Sequence, residues 1–212
     1  VVENLFDGLV TFGPGTCDVV PSLAESWTTS PDGLEWTFRL RRGVKFHDGT
    51  PFDADAVAFS MARLLDEANP LKPDDKVPYA SFYRGIVASV TPKDASTVVF
   101  RLSRPYAPFL ANMAMFSADM VSPRAVREKG PKGFGKHPVG TGAFKFQKWS
   151  QGEKKIVLVR NPDHWRGPAA VETVTFLTIP DGNSRLTALR SGDINWMDGV
   201  PCEAIEACRK DA

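Results

Sequence analysis

Long apolar runs and blocks of like charge are both missing from this sequence. No apolar run approaches the roughly 20 residues that a membrane-spanning helix requires. The 26 basic and 25 acidic residues nearly cancel, and no basic run stands out. Because dense phosphate binding needs clustered Lys and Arg, the charge pattern argues against nucleic acid as a partner.

Cysteine and histidine are also scarce. Three of each occur, no CxxC pair is present and the histidines lack paired spacing, which argues against a zinc site. Cys202 and Cys208 lie on one predicted helix, about 240° apart around its axis, so a disulfide between them is unfavourable. We expect Cys17, Cys202 and Cys208 to be free thiols, and the sequence implies no metal and no cofactor.

The chain is long enough for one domain with a subdomain. At 212 residues it should bury roughly 70% of its unfolded surface, so it needs no disulfide or metal to fold. It opens with "VVENLFDGLV", which already has the pattern of a packed amphipathic helix, and it has no initiator Met. We therefore expect part of a longer protein, with any export signal outside these residues.

Short hairpins and helices alternate in the first 150 residues. Residues 3–10 have the pattern of a short helix, and Ser30–Gly33 is the turn of a hairpin with alternating flanks. An amphipathic helix is predicted within residues 53–68, and a second hairpin over residues 87–102. A polar, proline-containing loop at 69–78 is expected between them.

The later segments mix helices with strands. Ser122 and Gly130 stand where a helix cap and a helix stop are expected. Strands are predicted in "FKFQKW", "EKKIVLVRNPDHW" and "VETVTFLTIP", followed by a helix that Gly192 ends. A short strand at Asp193–Met197 and a last helix at Val200–Arg209 complete the pattern. The mixture indicates an α+β fold that becomes α/β-like after residue 150.

One stretch, "GVKFHDGTPFDADAVAFS", gathers a histidine and three aspartates: His47, Asp48, Asp53 and Asp55. Such a cluster suggests a metal or catalytic site, but the sequence also accounts for it structurally. Asp53 precedes a helical pattern and can cap it, Asp55 lies in the first helical turn, and Asp48 forms a turn with Gly49. The structural interpretation is favoured, and a hydrolase using His47 and the aspartates is the alternative.

Two further patterns bear on catalysis or phosphate binding. The segment "VGTGAF" at 139–144 is a glycine turn that lacks both G-x-G-x-x-G and the P-loop Lys-Ser/Thr. A tight turn is the simpler interpretation, although its backbone amides could face a ligand cleft. No G-x-S-x-G motif occurs, so nothing indicates a catalytic triad.

The order of the motifs is more specific than any one of them. The chain contains, in sequence, "ENLFDGLVTF", "VPSLAESWTTSPDGLEWTFRLRRGVKFHDGTPFDADAVAFSMARL", "STVVFRLSRPYAPFL", "HPVGTGAFKFQKW", "IVLVRNPDHWRG", "VETVTFLTIPDGNSRLTALRSGDINW" and "GVP". This order closely resembles the family 5 extracytoplasmic solute-binding proteins of ABC importers, which include dipeptide-, oligopeptide- and nickel-binding proteins. The resemblance covers nearly all 212 residues.

The resemblance implies one lobe of a two-lobed protein that closes on its ligand. Its fold would be a mixed α/β and α+β lobe of the type II periplasmic-binding-protein kind. Residues 1–25 and 145–212 would form a core α/β domain, and residues 26–144 an inserted α+β subdomain. The second lobe is expected to be absent from this chain.

The resemblance also implies a function without catalysis. The full-length protein would capture peptides or a similar small organic solute and deliver it to a membrane-embedded ABC permease. It would do so in the periplasm or elsewhere outside the cytoplasm, either free or lipid-anchored. Two segments, "PYASFY" and "WMDGVP", match regions that supply ligand contacts in the family. The candidate contacts are Tyr79, Phe82, Tyr83, Trp196, Met197 and Asp198.

The residues alone leave the role of these aromatic segments open. Aromatic side chains beside a surface loop either pin the loop to the core or line a recognition pocket. For Trp196, packing in the core is the favoured interpretation. A third hypothesis is a module that only docks to another protein, such as a permease, without a ligand of its own.

Overall fold

A computed structural model of the chain describes residues 1–73 and 79–205. The chain forms two compact units. The first comprises Val1–Lys148 with Val157–Val174, and the second comprises Trp149–Ile156 with Thr175–Ala212. The division expected from the resemblance, at 25/26 and 144/145, concerns the domains of a larger protein and stays a prediction.

Short helices and strands alternate along the chain. The helices of more than three residues are α1 (Val2–Leu5), α2 (Ala54–Leu65), α3 (Phe109–Met113), α4 (Pro123–Lys136) and α5 (Gly182–Ser191). The first strands are β1 (Val10–Phe12), β2 (Val19–Pro21), β3 (Ala24–Thr29), β4 (Glu35–Leu40), β5 (Val87–Asp94) and β6 (Thr97–Leu102). The later strands are β7 (Phe144–Ser150), β8 (Lys155–Arg160) and β9 (Thr173–Leu177).

Both predicted hairpins are present and combine into one antiparallel sheet in the order β3-β4-β6-β5. Alternation along the strands puts apolar side chains on one face, where Phe38 and Phe100 are fully buried. Their rings meet edge to face at 5.3 Å, and Phe109 of α3 lies 5.8 Å from Phe100. This stack of rings is the centre of the core of the first unit. The three later strands form a separate sheet, β7-β8-β9.

Helix α2 forms where its apolar spacing predicts it. Val57, Met61 and Leu64 are buried on one side and pack into the same core. Asp53 caps the helix, since its carboxylate accepts a hydrogen bond of 2.9 Å from the backbone N–H of Ala56. The predicted capping role of Asp53 is therefore confirmed.

Several boundaries differ from the sequence-based expectations. The first helix covers Val2–Leu5 rather than residues 3–10, because the chain continues into β1 at Val10. Gly130 adopts φ 66° and ψ 172°, so it breaks α4 as expected, but a second helical piece follows it. Residues 193–197 do not form the predicted strand. Of the helix expected at 200–209, the structure describes a 3-10 turn, Cys202–Ala204, and residues 206–209 lie outside the described part.

The glycine segment 139–144 packs directly on the backbone of α1. A Cβ atom at Gly142 would lie 2.5 Å from the carbonyl oxygen of Asn4, and one at Gly140 would overlap the carbonyl oxygen of Leu5. The backbone N–H of Gly142 donates to the Leu5 carbonyl at 3.0 Å. Both glycines are therefore required by close approach of two backbones, and these amides serve packing rather than a ligand.

His47 holds the same glycine segment from the other side. Its Nε2 bonds to the carbonyl oxygen of Gly142 at 3.0 Å, and its Nδ1 accepts from the backbone N–H of Gly140 at 3.3 Å. This pair of contacts requires the neutral ring with the proton on Nε2. Burial favours the neutral form as well and lowers the pKa of His47 below its ordinary value of 6.5.

Replacing Gly142 by alanine should destabilise the protein by about 2–3 kcal/mol, because the added methyl group has to displace the α1 backbone. Urea denaturation at neutral pH measures the change. Gly152→Ala is the matched control, since a Cβ at Gly152 meets no atom within 4 Å. Equal stability of the two variants would contradict the packing argument.

His47 should make folding pH-dependent. Its pKa is lowered in the folded state, so between the folded value and 6.5 the unfolded chain binds more protons. The stabilisation is complete above 6.5 and is lost as the pH falls through the folded pKa. The difference in unfolding free energy between wild type and His47→Gln should therefore shrink from about pH 8 to about pH 5. A constant difference would show that the ring does not titrate in this way.

Asp53→Ala should lower the free energy of unfolding by about 1 kcal/mol through loss of the helix cap. The same change should leave ligand binding by the full-length protein intact. Asp55→Ala is the comparison, because Asp55 is exposed in the first turn and does not cap the helix. Loss of binding at unchanged thermal stability would revive the catalytic or metal hypothesis for this cluster.

Candidate functional site

Three aromatic side chains of the first unit form an exposed cluster. Tyr79, Phe82 and Phe116 are 45%, 37% and 44% exposed, respectively. The ring of Tyr79 lies 5.5 Å from that of Phe82 and 5.7 Å from that of Phe116. We call these three residues the aromatic cluster. Large apolar side chains that contact one another at the surface are typical of a binding surface.

The backbone helps to present Tyr79. This residue has φ 63°, in the left-handed region that a bulky side chain rarely adopts, and it precedes the 3-10 turn Ala80–Phe82. A strained conformation of this kind persists only where the surroundings impose it, and such positions are frequent in binding sites.

Tyr83 does not share this surface, contrary to the expectation. Its side chain is fully buried, and its hydroxyl donates to the carbonyl oxygen of Asn112 at 2.6 Å and contacts the Ser117 hydroxyl at 3.0 Å. Burial raises the pKa of this phenol. Tyr83 therefore anchors the segment to the core, and the sequence could not separate it from Tyr79 and Phe82 because all three belong to one aromatic run.

A cavity of about 620 Å³ lies beside the aromatic cluster, and Phe116 belongs to both. Its wall is mostly apolar and comes from α1, α2, α4 and the segment 116–121. The polar groups in this wall include Arg63, Ser117 and Asp119. The volume is in the range that small-molecule sites occupy in proteins.

Asp119 lines this cavity. Its Oδ2 atom is buried and has no hydrogen-bond partner within the described ranges. Burial, together with the nearby carboxylates of Asp7 and Glu3, raises the pKa of Asp119 well above 3.8. Sequence reasoning missed Asp119, because an aspartate between apolar residues has no local pattern that marks it as unpaired.

The second predicted segment lies in the second unit. Trp196 is 73% exposed, Asp198 is exposed and Met197 is half-buried, so Trp196 is not a core residue here. Arg185 of α5 fixes this loop, since one of its guanidinium nitrogens donates to the Gly199 carbonyl at 3.0 Å. The other terminal nitrogen donates to the carbonyl of Ile179 at 2.8 Å. The loop therefore presents an aromatic ring on a fixed backbone.

Three members of the histidine and aspartate cluster, His47, Asp48 and Asp53, make hydrogen bonds that stabilise the fold. Both ring nitrogens of His47 contact backbone atoms, and Asp53 caps α2. Asp48 accepts from the hydroxyl of Thr50 at 2.6 Å and from the hydroxyl of Ser122 at 2.6 Å, which ties the turn to the start of α4. Within residues 1–73 and 79–205, no group of three or more His, Cys, Asp or Glu side chains is arranged to hold a metal ion.

Two of the three thiols lie in the described part of the chain. Cys17 and Cys202 are free and exposed, and Cys208 lies outside the described residues. Among the helices that the structure describes, none combines the length and apolar character needed to span a membrane.

Known proteins similar to this chain include binding proteins for peptides. Di/tripeptide-binding protein 2 of Pseudomonas aeruginosa is 36% identical, over 98% of this chain and 41% of its own length. The periplasmic binding protein DppA of Helicobacter pylori, whose structure was solved with the peptide STSA, is 36% identical with a TM-score of 0.86. The match covers 98% of this chain and 43% of DppA. The structure of HbpA2 from Haemophilus parasuis matches with a TM-score of 0.90 and 30% sequence identity. The match covers 99% of this chain and 44% of HbpA2.

The chain thus spans about two fifths of the length of these relatives. The structural matches confirm the predicted mixed α/β lobe of a type II periplasmic binding protein. The family model described as "Bacterial extracellular solute-binding proteins, family 5 Middle" matches residues 18–212. The chain therefore belongs to the family 5 bacterial extracellular solute-binding proteins.

Proposed function

We propose that this chain is the ligand-binding lobe of a solute-binding protein that captures peptides, or a similar small organic solute, for an ABC importer. The observation that supports the proposal most is the family match together with a relative named for di- and tripeptide binding. The full-length protein would work outside the cytoplasm and deliver its ligand to a membrane-embedded permease. It would hold the ligand without changing it chemically.

The aromatic cluster supplies the contact surface in this proposal. Tyr79, Phe82 and Phe116 present apolar faces with little side-chain freedom, which suits a ligand whose backbone and side chains vary. In the second unit, Trp196 and Asp198 are exposed and Met197 is half-buried, and these three residues stay candidate ligand contacts. Closure on the ligand would then bury these side chains further.

A protein-docking role is the second candidate, and the exposure of Trp196 favours it. A ring that is 73% exposed on a loop fixed by Arg185 would also suit a protein interface. Titration of the full-length protein with a peptide library separates the two, because a docking module without its own ligand would bind no peptide.

Tyr79→Ala and Phe116→Ala should each weaken peptide binding by the full-length protein roughly tenfold, because each removes a ring of the aromatic cluster. Calorimetric titration with a peptide that co-purifies with the protein measures the effect. Trp149→Ala is the matched control, since Trp149 is similarly exposed, at 46%, but lies outside the cluster. Equal losses in all three variants, or none in the cluster variants, would contradict the assignment.

A further inference from the structure

The loop at residues 193–200, which we call the tryptophan loop, is fixed at its two ends by different groups. At its start, the backbone N–H of Ile194 donates to the carbonyl oxygen of Ala188 in α5 at 3.2 Å. At its end, a guanidinium nitrogen of Arg185 donates to the carbonyl oxygen of Gly199 at 3.0 Å. The first contact is between two backbone groups, whereas the second depends on one side chain.

Burial does little to hold the tryptophan loop in place. Within it, Ile194 and Met197 are half-buried and the other residues are exposed. The whole loop lies in the described part of the chain, and none of it forms a helix or a strand. Segments with few buried apolar contacts open locally at low cost in free energy. The hydrogen bonds at the two ends therefore decide where the loop lies.

Arg185 connects the end of the tryptophan loop to a second segment. Besides the Gly199 carbonyl, its guanidinium donates to the carbonyl oxygens of Ile179 at 2.8 Å and of Pro180 at 3.0 Å. Those two residues follow β9 and precede α5. The planar guanidinium directs several donors at fixed angles, which the ammonium group of a lysine cannot do. One side chain thus sets the distance between the loop and the segment that follows β9.

The backbone at Gly199 favours this contact. Gly199 has φ 63°, in the left-handed region that glycine adopts without strain. A Cβ atom at this position would lie 3.3 Å from a guanidinium nitrogen of Arg185. Two residues further on, the ring of Pro201 would lie 3.0 Å from a Cβ atom at Gly182 in α5. The end of the loop therefore approaches α5 closely enough for the side chain of Arg185 to bond to it.

We propose that Arg185 is a positioning residue for ligand capture, which holds the tryptophan loop in the geometry in which Trp196 contacts the ligand. Arg185 does not touch the ligand itself, because its terminal nitrogens are used by the three carbonyl oxygens. It acts through the exposed ring of Trp196. This inference rests on the proposed function and on Trp196 as a ligand contact.

The test is a double-mutant cycle in the full-length protein. The probe is the dipeptide that the wild type retains most strongly from an equimolar mixture of the natural dipeptides, and calorimetric titration measures its Kd. Trp196→Ala should weaken binding about tenfold, because it removes an aromatic contact. Arg185→Gln should weaken binding about fivefold, because the loop is no longer held in its binding geometry. In the double variant the loss should equal that of Trp196→Ala alone, since Arg185 acts through that ring.

Further variants separate positioning from a general effect on folding. Arg185→Lys keeps the charge but not the planar group, so its affinity should lie between those of the wild type and Arg185→Gln. Gly199→Ala disturbs the same contact from the backbone and should reproduce the loss. Combined with Tyr79→Ala, a change in the aromatic cluster of the first unit, the loss from Arg185→Gln should be additive. Arg104→Gln, at an exposed arginine of the first unit, is the control and should leave the affinity unchanged.

The outcomes distinguish failure of this inference from failure of the proposed function. Additive losses in the cycle of Arg185 and Trp196, or wild-type affinity in Arg185→Gln, would overturn the inference and leave the proposed function standing. Wild-type affinity in Trp196→Ala would remove the tryptophan loop from the ligand contacts and the inference with it, while capture by the aromatic cluster would stand. If the wild type retains no dipeptide, peptide capture fails and the inference fails with it.

Discussion

The close contact between the glycine segment 139–144 and the backbone of α1 is the constraint on which the first unit depends. No side chain fits between Gly142 and Asn4, so the two backbones are joined directly by the hydrogen bond from Gly142 to Leu5. His47 fixes the segment from the turn that precedes α2, and the buried Asn161 side chain donates to the Gly142 carbonyl at 3.1 Å. The start of the chain, the turn before α2 and the residue that follows β8 therefore share one junction. Because α1 contributes Val2 to the cavity, this junction also holds part of the cavity wall in place.

Aspartate serves two different purposes in this fold. At turns and helix starts its carboxylate accepts nearby hydrogen bonds, as Asp53 does for α2 and Asp181 for α5. Hydrogen bonds from the side chain and backbone of Ser184 lower the pKa of Asp181, so the charged form of this acid is stabilised in the folded protein. Asp119 has the opposite surroundings, since burial and the carboxylates of Asp7 and Glu3 raise its pKa.

Local patterns predicted most of the fold, and long-range contacts account for what they missed. Asp53, Ser122 and Gly192 carry cap and stop signals that depend only on neighbouring residues, and each acts as expected. Phe116 follows an apolar segment of the sequence, yet it is exposed. The burial of Tyr83 and the isolation of Asp119 depend on residues far along the chain. The site residues are therefore harder to predict than the helices and strands. Contacts between residues distant in sequence decide which aromatic ring stays exposed and which acid lacks a hydrogen-bond partner.

The junction at the glycine segment also has a consequence for the order in which the chain folds. The bond between the Thr141 hydroxyl and the Asp7 carboxylate joins residues 134 positions apart in sequence. During synthesis, the glycine segment that α1 contacts becomes available only after residue 142 has left the ribosome. The main sheet and α2 draw on contacts within residues 24–102 and can form earlier. The amino-terminal helix is thus among the first segments to be made and among the last to be packed.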